Sequence, residues 1–166
     1  MTRSLIALAL ISSFAAVGTA NATASTTTAN FNVTINVLAG CEFTTDGGIS
    51  DLAFGSVAAT PLTGTAPVST AQTSFDLQCT VGTAPEIALT SAHEWEMEGS
   101  DADNTEATIS YALYSDSART TAWGDTATIT GADTGAAQTH VVYGKVANPG
   151  RVAGNFKDVV TVTLTY

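Results

Sequence analysis

The clearest pattern in the chain is a strict alternation in Asn30-Phe31-Asn32-Val33-Thr34-Ile35-Asn36-Val37-Leu38, which puts Phe31, Val33, Ile35 and Val37 on one face of an extended strand. Ala39-Gly40 breaks the run directly before Cys41. Short β-like runs then recur between turn signals: Cys41 to Thr45, Leu52 to Gly55, Ser74 to Cys79, Glu86 to Thr90, Thr108 to Tyr114, Ala127 to Thr130, Thr139 to Val146 and Asp158 to Tyr166. Several alternate, with Phe75, Leu77 and Cys79 on one side, and likewise Ile109, Tyr111 and Leu113, or Val160, Val162 and Leu164. Asp46-Gly47-Gly48, Thr63-Gly64-Thr65 and Gly131-Ala132-Asp133-Thr134-Gly135 supply turns. Without a long 3.6-residue apolar period, the pattern predicts an all-β sandwich with few helices.

The first residues bear on where this sandwich folds. An apolar stretch from Leu5 to Val17 follows Arg3 and leads to Ala20-Asn21-Ala22, so Met1 to Ala22 reads as a signal peptide, with a cut after Ala20 as the alternative. The stretch is shorter than the roughly 20 apolar residues a membrane span needs, so no direct membrane insertion is expected. What remains divides into an N-terminal extension, 23–40, and one domain, 41–166. Once Arg3 leaves with the leader, 4 basic side chains stand against 15 acidic ones, a net charge of −11 that argues against nucleic acid or anionic lipid as partners. In an oxidising compartment the only two cysteines, Cys41 and Cys79, are expected to pair. On a chain-entropy argument that bond stabilises by on the order of 4 kcal/mol.

The sites of possible chemistry are few. His93 and His140 lie in no catalytic signature, and with the two thiols they lack metal-ligand spacing, so neither an enzyme, a cofactor nor a metal is expected. His140, followed by Val141-Val142-Tyr143, reads as an exposed strand residue. The acidic region 93–106 lacks the calcium-loop pattern and reads as a solvated loop, or as an edge strand protected by charge where Trp95 and Met97 alternate with glutamates. Trp123-Gly124-Asp125 reads as packing over the end of the sandwich more readily than as a sugar platform.

The alternating N-terminal strand fits two arrangements: the first strand of the chain's own sheet, or a strand added to a neighbour's sheet. A resemblance weighs on the choice. The N-terminal strand with Gly40-Cys41, Leu52-Ala53-Phe54-Gly55, Leu77-Gln78-Cys79-Thr80, Tyr111-Ala112-Leu113-Tyr114-Ser115-Asp116, Trp123-Gly124-Asp125, Val142-Tyr143-Gly144 and the run Gly154 to Tyr166 occur in an order and spacing that resemble the spore coat protein U domain family. That family includes subunits of archaic (Csu-type) chaperone-usher pili. The resemblance implies an incomplete immunoglobulin-like β-sandwich that lacks its last strand and is completed by an N-terminal donor strand from a neighbouring subunit. It implies Phe31, Val33, Ile35 and Val37 as donor residues, Ala39 and Gly40 as the hinge, and Val160, Val162 and Leu164 as acceptor groove and chaperone-docking strand. It further implies a homopolymer, a periplasmic chaperone, an outer-membrane usher and a pilus at the cell surface, with a shaft role in adhesion and biofilm formation. The alternative is a secreted, self-complemented spore-coat or surface-binding protein.

Overall fold

A computed structural model of the protein describes residues 24–45 and 48–166. The signal-peptide segment Met1 to Ala22 and the turn residues Asp46 and Gly47 lie outside the described residues. The chain divides into two units, one reaching Asn36 and one running from Val37 to Tyr166.

The second unit is all-β. β1 (Cys41–Phe43), β2 (Ser69–Cys79), β6 (Ala112–Tyr114) and β8 (Gln138–Val146) form one antiparallel sheet in the order β1-β2-β8-β6. β3 (Glu86–Ser91), β7 (Ile129–Thr130) and β10 (Val160–Thr165) form a second, ordered β10-β3-β7. The third sheet, ordered β5-β4-β9, is built from β4 (Glu96–Gly99), β5 (Thr108–Ser110) and β9 (Phe156–Lys157). The longest ladder joins β2 to β8, from Ser69 opposite Val146 to Leu77 opposite Gln138. Cys41 and Cys79 face each other at the other edge of β2 and form the expected disulfide.

Alternation decides which faces meet, because each strand turns every second side chain inward. Phe75 and Leu77 of β2 meet Ile87 and Leu89 of β3 in one buried cluster with Leu113, Val142 and Val146. Trp123 belongs to no strand yet closes the seam between the first two sheets. Its backbone N–H donates to the Leu113 carbonyl (3.0 Å), its indole N–H to the Ile87 carbonyl (2.9 Å), and its ring lies 6.1 Å from Phe75. At 2% exposure it cannot stack on a sugar.

Four expected elements differ. Thr108 to Tyr114 is two strands in two sheets, broken at Tyr111, whose N–H donates to the Trp95 carbonyl instead of to a ladder partner. Leu52 to Gly55 is not a strand: Leu52 and Phe54 lie against Gly144 of β8, so close that a Cβ there would sit 2.8 Å from each. Within the acidic region, Glu96–Gly99 is the middle strand of its sheet and not an edge, while 93–95 forms a tight turn with Glu94 and Trp95 at φ of 54° and 68°. His140 is half-buried and faces inward, in phase with Val142 and Val146; its ring stacks on Phe75 at 5.5 Å and its Nε2 is buried without a hydrogen-bond partner.

Two outcomes follow from these contacts. Burial holds His140 below its ordinary value of 6.5, an effect that nearby Asp76 opposes without reversing, so the folded state favours the neutral ring. The unfolded chain therefore binds more protons below about pH 6.5, and stability present at neutral pH is lost as the pH falls from there toward the folded-state value. Urea midpoints should drop between pH 7.5 and pH 5.5, and His140→Phe should flatten that drop. Separately, Gly144→Ala forces Leu52 and Phe54 outward and should cost about 1–3 kcal/mol by equilibrium unfolding.

Candidate functional site

The alternating valines of β10 border the main cleft of the described residues. All six residues of β10 pair with β3, from Val160 opposite Ser91 to Thr165 opposite Glu86, but β10 ends the sheet order and, among the described residues, its other edge carries no ladder. Val160, Val162 and Leu164 are half-buried, whereas Thr161, Thr163 and Thr165 are exposed. An edge strand of this kind offers unpaired backbone groups beside an apolar surface, the arrangement to which another strand can add.

The cleft has a volume of about 550 Å³. Its buried base comes from four strands, as Phe75 of β2, Leu89 of β3, Leu113 of β6 and Val142 of β8. Val160 and Val162 line it from β10, and the irregular run Ile49 to Phe54 lines it as well. Thr73, Met97, Tyr111 and the stretch Phe156 to Val159 complete the lining. Of the three groove residues expected from sequence, Val160 and Val162 are in this lining; Leu164 packs against the core outside it.

The N-terminal run is exposed. Phe31, Val33, Ile35 and Val37 show 86%, 86%, 89% and 75% of their surface to solvent, and residues 24–40 carry no strand ladder. Gly40 accepts from the Thr80 N–H (2.9 Å) and donates to the Thr80 hydroxyl (3.2 Å), so backbone bonding to the domain begins at the second of the two expected hinge residues and Ala39 is exposed before it.

Sequence reasoning missed Asp158. Its side chain is 2% exposed and lines the cleft, where its carboxylate accepts from Ser91 Oγ (2.6 Å), His93 Nδ1 (2.7 Å), Tyr111 Oη (2.5 Å) and the Val159 N–H (2.7 Å). Burial pushes its pKa up, but hydrogen bonds from Ser91, Tyr111, His93 and Val159 outweigh that and hold it below the ordinary 3.8. Burial first, then the hydrogen bond to Asp158, raise the Tyr111 phenol far above its usual range, so it stays a donor. The missed signal is phase: Asp158 alternates in register with Val160, Val162 and Leu164, so a charged residue stood at an inward position.

Ser91, His93 and Asp158 include the residue types of a nucleophile triad but not its geometry. The carboxylate is the hub, the Ser91 hydroxyl donates to it, and the second His93 nitrogen lies 3.3 Å from Glu98 Oε2. Both imidazole nitrogens face carboxylates, so neither is placed to take the serine proton. In the acidic region, Asp101 is engaged by the Asn155 backbone and side-chain N–H groups, which lower its pKa, and no cluster of three potential metal ligands occurs among the described residues.

Residues 27–163 match the Spore Coat Protein U domain model. A comparison with curated proteins gives no match. Among solved structures, the protein is similar to a chain in the crystal structure of the CsuC-CsuE chaperone-tip adhesion subunit pre-assembly complex from archaic chaperone-usher Csu pili of Acinetobacter baumannii, with a TM-score of 0.51 and 19% identity over 78% of this chain and 40% of that one. A chain of a chaperone-tip adhesin complex associated with CFA/I fimbriae biogenesis aligns with a TM-score of 0.36 and 14% identity over 72% of this chain and 41% of that one. The protein thus spans less than half the length of either matched chain, and the first likeness is one of immunoglobulin-like fold. Because the family match runs from the exposed N-terminal run through the disulfide and the cleft into β10, the protein belongs to the Spore Coat Protein U domain family.

Proposed function

We propose that the protein is a structural subunit of an archaic chaperone-usher pilus and polymerises by donor-strand complementation. The run Asn30 to Leu38 of one copy occupies the cleft of the next, with Phe31, Val33, Ile35 and Val37 turned inward and the backbone bonded to the free edge of β10. The observation that carries this reading is that open edge beside an apolar cleft, in a chain that also exposes an alternating apolar run. Each of the four side chains gains roughly 1.5–3 kcal/mol on burial, before the cost of ordering the run.

A head-to-tail contact of this kind does not close on itself and produces a fibre. A copy that both donates and accepts a strand suits the shaft of such a fibre, and adhesion and biofilm formation are the roles proposed for the assembled pilus. A periplasmic chaperone would hold β10 and the cleft until an outer-membrane usher exchanges it for the neighbour's run. Export through the periplasm to the surface accords with the disulfide.

Secretion of the full chain into an oxidising periplasm together with its chaperone and usher, followed by light scattering and negative-stain microscopy, tests the reading. Ile35→Asp should abolish fibres while leaving the Cys41–Cys79 bond intact, because an unpaired carboxylate in the cleft costs several kcal/mol, a hundredfold or more in affinity at roughly 1.4 kcal/mol per factor of ten. Normal fibres from that variant would sink the reading. Moving Asn30 to Leu38 behind a flexible linker after Tyr166 should give a stable monomer; unchanged polymerisation would mean that another contact drives assembly. A soluble wild-type monomer that unfolds when 23–38 is removed would make the run a strand of its own domain.

A further inference from the structure

We propose that Asp158 is the positioning residue of the cleft, a clamp that holds its β10 end in the shape an incoming strand requires. The inference rests on reading the cleft as a strand acceptor. Asp158 lies where the chain leaves β9 in the third sheet and enters β10 in the second. Its partners sit at two further crossings of the third sheet: Ser91 and His93 where β3 gives way to β4, and Tyr111 where β5 gives way to β6. One carboxylate therefore ties together three of the four places where the chain enters or leaves that sheet, all but the entry from β8 into β9.

The bonding is of a built site. An ionised carboxylate is tolerated at 2% exposure only when its oxygens are fully engaged, and here four donors reach it. Ser91 is fixed in turn, since its Oγ also accepts from the N–H groups of His93 (3.1 Å) and Trp95 (2.7 Å), which hold the turn where Trp95 takes a positive φ. Tyr111 and Asp158 both line the cleft, so the clamp orders part of the lining itself. A strand that docks onto a pre-ordered edge does not have to order it on arrival, and the gain appears in the rate of capture.

Asparagine at this position keeps the size but presents an amide N–H₂ to a ring of donors, so the clamp opens. The test uses the full chain in the assembly-blocked Ile35→Asp background, which leaves the cleft unfilled, and a fluorescent synthetic peptide of residues 24–38. Capture rates are measured for the parent, Asp158→Asn and Tyr111→Phe under conditions where circular dichroism shows each folded. Amide exchange is followed along β10. Asp158→Asn should capture the peptide roughly tenfold or more slowly and Tyr111→Phe a few-fold more slowly. Exchange protection should fall at Thr161 and persist at Thr165, whose amides bond to β3, a local pattern that uniform destabilisation would not produce. Equal capture by parent and folded Asp158→Asn overturns the clamp alone; should that variant not fold, unchanged capture by Tyr111→Phe overturns it. A parent that fails to capture the peptide sinks the acceptor reading and the clamp with it.

Discussion

The fold hangs on a buried charge. Three short strands, β4, β5 and β9, form a sheet too small to be stable by its own ladders, and the chain enters or leaves it at four places. These passages leave backbone and side-chain polar groups near the core, and Asp158 joins three of the four on one carboxylate. The same requirement explains the tight turn at Glu94 and Trp95, which brings Ser91 and His93 within reach. Leaving that carboxylate unpaired would be more costly than any single apolar contact in the cleft.

Much of the architecture was legible because period-two patterning dictates burial. β3, β8 and β10 stand close to where alternation put them, β2 begins at Ser69 ahead of the expected Ser74, and the Cys41–Cys79 pair followed from there being two cysteines in a chain read as exported. One cause of error is that a sequence shows alternation but not the point at which a strand changes sheets. Thr108 to Tyr114 alternates without a flaw, yet Tyr111 spends its N–H on the Trp95 carbonyl and its hydroxyl on Asp158, so the ladder stops there. His140 was in phase with buried residues all along; its polarity, not its position, suggested solvent.

The candidate site was legible only in part. Val160 and Val162 are visible as an alternating face, but the base of the cleft draws Phe75, Leu89, Leu113 and Val142 from four strands that only the folded chain assembles. Leu52-Ala53-Phe54 and Val142-Tyr143-Gly144 looked like separate motifs, whereas the missing side chain of Gly144 is what admits Leu52 and Phe54 against β8. A glycine inside a strand marked a close approach, and the partner could not be read from spacing.

The disulfide also governs how the molecule bears tension. A pull applied to the exposed N-terminal run enters the domain at Cys41, at the start of a strand of only three residues that would otherwise unzip rung by rung. The covalent bond to Cys79 diverts that force past β1 to the end of β2, whose ladder with β8 holds nine residue pairs. Force directed along those strands loads many hydrogen bonds in shear at once, a load that the three-residue β1 alone could not carry.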